Sequence, residues 1–260
     1  MSENKSLFDL KGKFAIVTGA SSGLGVQFAH ALVRQGAAVA LFARRKDRLD
    51  KVVEDLEKMG GRAIAIQCDV TVPEQVDAAV KQAHDAFGRI DILVNNAGVA
   101  RDVPAESTKT EDWKAVIDAN LNGVFYVARA VSKYMIEQKY GKIINIGSIH
   151  SSVAISAQVE HISAYVTSKG GVHLMTRALA AEWAQYNITV NAIGPAYFPS
   201  EMTKDALEVD AFQKFIESRV PMKRAGRDGE LDGALIYFAS DASTYTTGQL
   251  LTIDGGWTCI

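Results

Sequence analysis

The amino-acid sequence predicts an α/β fold in which helices cover both faces of a parallel β-sheet. Short apolar segments alternate along the chain with longer segments of helical periodicity, and strands that pair in parallel need a crossover connection, usually a helix. The short segments are nearly all apolar rather than apolar at every second residue, as expected for strands buried on both faces. A turn rich in glycine and serine follows the first of them, where sheets of this kind bind anions.

Each predicted strand is a short apolar run, and each predicted helix has an apolar stripe of period 3.6. The strands are expected at 14–17, 39–42, 64–66, 91–94, 142–146, 188–191 and 250–253, and the helices at about 24–35, 47–59, 73–87, 111–138, 163–185 and 228–239. Between the sixth strand and the last helix, residues 193–220 contain several prolines around a possible short helix. Since long loops in compact domains are often functional, we expect residues 195–220 to form a lid over a substrate.

Composition is that of an ordinary globular protein, and we expect residues 1–260 to form a single domain. Of the 260 residues 48% are hydrophobic and 22% are charged, which excludes disordered, collagen-like and low-complexity chains. The 28 basic and 30 acidic side chains leave a net charge of −2, so the strongly basic surface typical of nucleic-acid-binding proteins is not expected.

The cysteine content and the hydropathy of the sequence limit the cellular compartments in which the protein is expected. Cys68 and Cys259 show no metal-ligand spacing and cannot build a disulfide framework, so no metal is expected. The N-terminus lacks the apolar core of a signal peptide, and no apolar run reaches the roughly 20 residues that span a bilayer. We therefore expect a cytoplasmic protein without a membrane partner.

The turn after the first predicted strand has the residues of a phosphate-binding loop. Its sequence is Thr18-Gly19-Ala20-Ser21-Ser22-Gly23-Leu24-Gly25. Glycines let the backbone approach a pyrophosphate, and the unpaired N–H groups at the start of the next helix bind the anion. A structural loop could have the same composition, but the position between the first strand and helix favours dinucleotide binding.

The end of the second predicted strand favours NADP(H) over NAD(H). An acidic residue there would accept the ribose 2′-hydroxyl of NAD, but the chain has Ala43 followed by Arg44, Arg45 and Lys46. Basic side chains at a helix N-terminus oppose the helix dipole, and a 2′-phosphate bound by arginine would explain them. The alternative is a solvated basic start to the second helix.

A tyrosine and a lysine one helical turn apart form a candidate acid–base pair. Tyr165 and Lys169 lie at positions i and i+4 of a predicted helix, so they share one face. Tyrosine has a pKa near 10 and is a poor base at neutral pH, but a nearby cation favours the tyrosinate. An exposed Tyr–Lys pair on a helix surface is the alternative.

Three further features place polar groups where ligands bind in α/β sheets. Ser148 follows the fifth predicted strand, and Asn95-Asn96-Ala97-Gly98 follows the fourth, so both lie at carboxyl ends of strands. Asn120 lies within an apolar helical segment, where its amide needs a hydrogen-bond partner.

These motifs together resemble the short-chain dehydrogenase/reductase family, in the order of that family and from about residue 10 to residue 256. The resemblance implies a single Rossmann-like, doubly wound domain with a seven-stranded parallel sheet and NAD(P)-dependent interconversion of alcohols and ketones. It implies Tyr165 as the general acid and base, Ser148 as the group that holds the substrate oxygen, and Lys169 on the nicotinamide ribose. Asn120 would fix a water in a proton relay, and Asp69 would bind the edge of the adenine.

The residues expected to bind the coenzyme follow from the motifs and the resemblance. They are Gly19, Ser21, Ser22, Gly23, Leu24, Gly25, Arg44, Arg45, Asp69, Val70, Asn96, Ala97, Gly98, Tyr165, Lys169, Pro195, Phe198 and Ser200.

The residues from 193 to 204 and from 249 to 256 are similar to those of gluconate 5-dehydrogenases, which favours a sugar-acid or polyol/ketose substrate. Ser148 and Tyr165 are 17 positions apart, a few more than is common in the family, and the added residues should border the substrate. A reductase of bulkier ketones, a hydroxysteroid or 3-oxoacyl-thioester enzyme, therefore stays open. A non-catalytic protein that only binds the coenzyme is a remote third possibility.

Candidate substrate contacts are His150 and His161 in the lengthened segment and Tyr197 and Met202 at the start of the lid. A solvated loop and core packing are the respective alternatives. The family resemblance also implies a homotetramer, with interfaces on the helices near 111–138 and 163–185.

Overall fold

The computed structural model describes residues 6–157 and 159–260. Within them one sheet contains seven strands: β1 (Phe14–Thr18), β2 (Ala38–Ala43), β3 (Ala63–Gln67), β4 (Ile92–Asn95), β5 (Gly141–Ile146), β6 (Ile188–Pro195) and β7 (Leu250–Ile253). The strand order is β3-β2-β1-β4-β5-β6-β7, and every neighbouring pair is parallel. The predicted α/β class and seven-stranded parallel sheet are confirmed.

Helices connect the strands and lie on both faces of the sheet. In the described residues they are α1 (Gly23–Arg34), α2 (Lys46–Lys58), α3 (Pro73–Phe87), α4 (Thr110–Ile117), α5 (Gly123–Gln138), α6 (Ser163–Trp183), α7 (Lys204–Leu207), α8 (Asp210–Arg219) and α9 (Asp232–Ala239). None of the helices described here is long and apolar enough to cross a bilayer.

Three predicted boundaries were wrong. The single helix predicted at 111–138 is α4 and α5, joined by a π-helical turn at Asp118–Asn122. The last helix starts at Asp232 and not at 228, because Gly229 has a φ of +85°, outside the α-helical region. The irregular region predicted from 193 begins later, since β6 continues to Pro195, and it contains the two helices α7 and α8.

The core explains why most strand residues are apolar on both faces of the sheet. Ala15 and Val17 of β1 pack on one face of the sheet with side chains of α1 and α9. Ile16, between them, packs on the other face with side chains of α3, α5 and α6. Successive side chains of a strand point to opposite faces, so a strand covered on both faces has apolar residues at successive positions.

The order in which strands are added to the sheet changes direction beside β1, and this change determines where the ligand crevice lies. The chain moves outward from β1 to β2 and β3, and then returns to form β4 on the other side of β1. The connections after β1 and β4 therefore separate at the carboxyl edge of the sheet, and a crevice opens between them. The lid helices α7 and α8 lie beyond this edge, where Ile216 packs with Tyr197 and Trp257.

Candidate active site

A cleft of about 850 Å³ opens at the carboxyl ends of the central strands. Most of the residues predicted to bind coenzyme or to act in catalysis line it: Gly19, Ser21, Ser22, Gly23, Leu24, Arg44, Arg45, Asp69, Val70, Asn96, Ala97, Gly98, Ser148, Tyr165, Lys169, Pro195, Phe198 and Ser200, with Met202 on the lid. Gly25, Asn120, His150, His161 and Tyr197 are not among its lining residues.

The phosphate-binding turn leaves room for a ligand because side chains are missing where its backbone is most crowded. A Cβ on Gly25 would overlap the carbonyl oxygen of Gly19 and lie 2.7 Å from Asn96 Nδ2. Gly19 has a φ of +65°, and a Cβ on it would lie 2.8 Å from Ala97 Cα. The glycines therefore allow β1, α1 and the segment after β4 to meet closely.

Thr18, the first residue of the predicted turn but not among the residues expected to bind the coenzyme, ties the turn to the segment after β4. Its Oγ1 accepts hydrogen bonds from the N–H groups of Asn96 and Ala97, each at 3.0 Å, and Asn96 Nδ2 donates to the Thr18 carbonyl at 3.0 Å. The position of Thr18 as the last residue of a buried strand was the available sequence feature. These bonds fix the two loops that form the walls of the cleft.

The start of α1 is free to bind an anion. Ser22 is the N-cap residue, but its side chain does not cap the helix, and the first turn contains no acidic residue. The N–H groups of that turn have no intrahelical partners and carry the positive end of the helix dipole. A pyrophosphate fits this end.

The basic residues after β2 lie at the same end of the cleft. Arg45 donates to Ser21 Oγ at 3.1 Å and to Ser22 Oγ at 2.9 Å, and Arg44 is exposed at the cleft wall. Arg45 also pairs with Glu201 of the lid, which sequence reasoning missed, at 2.9 Å. Arg45 thus belongs to a group of donors near the phosphate-binding turn, while Arg44 is exposed at the wall of the cleft.

Asp69 and Val70 line the cleft after β3. Asp69 Oδ1 accepts hydrogen bonds from the N–H and the hydroxyl of Thr71, at 3.0 and 2.8 Å. These bonds hold the carboxylate in place and leave its other oxygen, Oδ2, for a ligand.

Ser148 is held by the turn that follows β5. It is 5% exposed, and its Oγ accepts a hydrogen bond from His150 N–H at 3.1 Å, while its own N–H donates to Ser151 Oγ at 3.2 Å. This reciprocal capping arrangement fixes the hydroxyl at the carboxyl end of the strand.

Tyr165 and Lys169 share one face of α6, as their spacing predicted. Lys169 Nζ lies 5.5 Å from the centre of the Tyr165 ring and donates to the Ile146 carbonyl at 2.7 Å. Burial raises the pKa of Tyr165 to about 12, contact with the Ser148 hydroxyl lowers it in part, and the charge of Glu160 raises it. Burial lowers the pKa of Lys169 to about 8. An exposed surface pair, the alternative considered from sequence, would not have these properties.

Asn120 lies in the π-helical turn and is completely buried. Its Oδ1 accepts from Val99 N–H at 2.8 Å, and its Nδ2 donates to the Val99 carbonyl at 2.9 Å and to Ser168 Oγ at 3.1 Å. Ser168 in turn donates to the Tyr165 carbonyl at 2.7 Å. Both hydrogens of the amide are used, so Asn120 connects the segment after β4 to the helix that carries Tyr165.

The candidate substrate residues lie in different surroundings. The buried His150 ring meets the Tyr165 ring edge-on with centroids 6.4 Å apart, and burial lowers its pKa. Tyr197 is buried under the lid against Phe212 and Trp257, and its hydroxyl donates to Glu160 at 3.1 Å. Met202 is exposed at the cleft.

His161 lies at the surface. Its side chain is 42% exposed, and its Nδ1 is 3.4 Å from Asp102 Oδ1. The segment from Glu160 to His161 runs beside the one after β4, since Val103 N–H donates to the His161 carbonyl at 2.9 Å.

Arg101 is a second residue of the cleft that sequence reasoning missed. It follows the Asn-Asn-Ala-Gly motif by three residues, lines the cleft, and lies 3.8 Å from Asp112 with its side chain 53% exposed. The only sequence feature that could have indicated Arg101 was its position shortly after a ligand-binding motif. Throughout the described chain, no group of three or more His, Cys, Asp or Glu side chains could hold a metal ion.

Comparison with known proteins gives consistent matches over nearly the whole chain. A family model described as enoyl-(acyl carrier protein) reductase matches residues 19–258. The chain is 39% identical to the 5-keto-D-gluconate 5-reductase of Escherichia coli K12, over 96% of this chain and 97% of that protein. It is 41% identical to a 3-oxoacyl-[acyl-carrier-protein] reductase of Synechocystis, over 95% and 97%.

A solved structure extends the comparison to the fold. The gluconate 5-dehydrogenase of Burkholderia cenocepacia J2315, in complex with NADP and tartrate, is similar with a TM-score of 0.93 and 38% identity. The similarity covers 97% of this chain and 98% of that one.

Proposed function

We propose that this chain, which belongs to the short-chain dehydrogenase/reductase family, interconverts a secondary alcohol of a sugar acid or polyol and the corresponding ketone, with NADP(H) as coenzyme. The observation that carries the chemistry is the partly buried Tyr165 beside Ser148 and Lys169, at the carboxyl edge of the sheet. The lid, residues 195–220, and the sheet would act as one domain.

The described residues fit a dinucleotide. The glycine turn leaves a cradle that a Cβ at Gly25 would fill, and the free N-terminus of α1 suits a pyrophosphate. Arg44 and Arg45, with Ser21, present donors of the kind that bind a 2′-phosphate. When bound, the coenzyme supplies or accepts the hydride.

Tyr165 moves the proton. Its hydroxyl would donate to the developing alkoxide during ketone reduction and remove the hydroxyl proton during alcohol oxidation. Ser148, whose position is fixed by the turn after β5, would hold the reacting oxygen by a hydrogen bond.

Lys169 and Asn120 support this transfer. The ammonium group of Lys169 would favour the tyrosinate by its charge and bind the nicotinamide ribose. Asn120 would fix a water of the proton relay, and the donors of its side-chain amide are used within the protein. The complete set of four residues argues against a protein that only binds the coenzyme.

The positive charge of Arg101 in the cleft supports a sugar acid as the substrate. Arg101 lines the cleft on the segment that runs beside the residues before Tyr165, and a guanidinium binds a carboxylate through two hydrogen bonds. The similar proteins of Escherichia coli and Burkholderia cenocepacia are named for the sugar acids ketogluconate and gluconate. The structure of the second contains tartrate, a hydroxy acid.

A direct test is turnover at 340 nm with NADPH and NADH in parallel, on 5-ketogluconate, fructose, an acetoacetyl thioester and a ketosteroid. We expect turnover of 5-ketogluconate or fructose with a preference for NADPH. Equal rates with NADH would contradict the assignment of Arg44 and Arg45. Tight coenzyme binding without turnover of any ketone would favour a non-catalytic protein.

Replacing Arg101 by Ala distinguishes a sugar acid from a neutral ketose. We expect the KM for 5-ketogluconate to rise about 10-fold, because a charged hydrogen-bond partner of the carboxylate is lost, while the KM for fructose stays the same. Lys114→Ala removes an exposed charge on the neighbouring helix α4 and serves as the control. An equal change for both substrates would remove Arg101 from carboxylate recognition.

The second candidate is a 3-oxoacyl-thioester reductase. The description of the matching family model and the 41% identity to the Synechocystis enzyme favour it, as does the lengthened segment before Tyr165. Turnover of the acetoacetyl thioester in place of 5-ketogluconate would establish it.

A homotetramer in the cytoplasm is part of the proposal. Three large apolar side chains are exposed on helices of the expected interface, namely Trp113 on α4, Phe125 on α5 and Leu174 on α6, the last at 64%. Light scattering at the expected tetramer mass would support this, and a monomer mass would contradict it. The free thiols of Cys68 and Cys259 suit a reducing compartment.

A further inference from the structure

The first residues of the lid lie directly on the phosphate-binding turn. A Cβ on Gly23 would be 3.3 Å from Ser200 Cβ and 3.5 Å from Glu201 N. The lid therefore passes beside the phosphate-binding end of the cleft.

Glu201 places a carboxylate among the donors of that turn. Its Oε2 accepts from Ser22 Oγ at 2.7 Å and from Arg45 at 2.9 Å, and its Oε1 accepts from Arg48 at 2.6 Å and from Arg45 at 3.2 Å. These hydrogen bonds hold the pKa of Glu201 far below its usual range, so the group stays an anion throughout the working pH range.

The donors around Glu201 are those that a phosphate monoester would use. Arginine binds phosphate and carboxylate in the same forked geometry, and serine hydroxyls donate to either. Arg45 is also bonded to Ser21, so one guanidinium links the turn, the lid and the basic segment after β2. An anionic ligand that binds these side-chain donors would have to displace the carboxylate of Glu201.

We propose that Glu201 is a coenzyme-specificity residue, which competes with the 2′-phosphate of NADP(H) for Arg45, Arg48 and Ser22. This inference rests on the proposed NADP(H) dependence. NAD(H), which has no 2′-phosphate, leaves the Glu201 contacts in place. NADP(H) replaces them, so its advantage over NAD(H) is smaller than the arginines alone would give.

Exposure makes the exchange feasible. The side chains of Arg45, Arg48 and Glu201 are 41%, 44% and 50% exposed, and exposed ion pairs are weak because water screens them. A phosphate monoester carries more charge than a carboxylate and would displace it from the same donors.

Calorimetric titration with 2′,5′-ADP and 5′-AMP tests the competition without turnover. The proteins are the wild type, Glu201→Gln and the control Glu208→Gln, which removes the same charge from an exposed position of the same lid. We expect Glu201→Gln to bind 2′,5′-ADP about 3- to 10-fold more tightly, from the loss of two exposed ion pairs. Its affinity for 5′-AMP, and both affinities of Glu208→Gln, should stay within about 2-fold of wild type.

Two results would overturn the proposal. An unchanged affinity of Glu201→Gln for 2′,5′-ADP would show that the phosphate does not use these donors. A weaker affinity would show that the carboxylate orients the arginines for the phosphate instead of competing with it. Failure of the NADP(H) assignment appears separately, as equal affinities of 2′,5′-ADP and 5′-AMP for both wild type and Glu201→Gln.

Discussion

Replacing Tyr165 by Phe should lower kcat by about 10²- to 10⁴-fold, the usual contribution of a positioned general acid or base. The ring stays and keeps its edge-on contact with His150, so the change removes the hydroxyl and little else. Coenzyme affinity, measured by fluorescence titration with NADPH, should stay near the wild-type value.

The control for this substitution is Tyr245→Phe, which removes a hydroxyl from a fully exposed ring and should leave kcat unchanged. Retention of more than a tenth of the activity by Tyr165→Phe would mean that another group moves the proton.

The pH dependence of the wild-type enzyme reports the same group. With the pKa of Tyr165 raised to about 12 by burial, the phenol is protonated at neutral pH and suits ketone reduction. Alcohol oxidation needs the tyrosinate, whose fraction rises with pH. The rate of oxidation should therefore increase from pH 7 to 9 and that of reduction should not, and the increase in the oxidation rate should be lost with Tyr165→Phe.

Replacing Gly25 by Ala should destroy coenzyme binding and destabilise the fold. The added methyl group would overlap the Gly19 carbonyl oxygen and lie 2.9 Å from Ala20 Cα, and backbone atoms cannot move aside as a flexible side chain can. Overpacking of this kind costs about 1–3 kcal/mol of the free energy of unfolding. The displaced turn would also no longer present its N–H groups to the pyrophosphate.

Denaturant unfolding and NADPH titration measure both effects. Gly233→Ala is the matched control, because a Cβ at Gly233, in the first turn of α9, meets no atom within 4 Å. That control should be neutral or slightly stabilising. Wild-type coenzyme affinity in Gly25→Ala would show that the turn is not the phosphate site.

The strands could be predicted from sequence because the same physical condition applies to each of them. Both faces of β1 are buried, so Ala15, Ile16 and Val17 are all apolar, and the run is visible without knowledge of the partners. The π-helical turn could not be predicted in this way. The apolar pattern around Asn120 is that of an α-helix and does not reveal the extra residue of the π turn. The three hydrogen bonds of Asn120 go to Val99 and Ser168, which are distant from it in sequence.

The residues of the candidate site also divide into those that a local sequence motif predicts and those that depend on contacts distant in sequence. The phosphate-binding turn, Ser148, Tyr165 and Lys169 lie in local motifs, and the structure brings them into one cleft. Glu201 meets Arg45 across 156 residues of sequence, and such a contact leaves no local pattern. Tyr197 was selected for its place at the start of the lid, but its burial against Trp257 depends on the C-terminal segment.

The π-helical turn at Asp118–Asn122 also has a consequence for chain length. A π turn contains one residue more than the α turn it replaces, and each residue of an α-helix advances the side chains by about 100°. Deleting one residue there would let α4 and α5 join as a continuous α-helix and rotate every side chain before the deletion relative to those after it. Asn120 could then no longer face Val99 and Ser168 while α5 stayed packed on the sheet. Homologous chains should therefore tolerate insertions and deletions in the surface loops far better than at this turn.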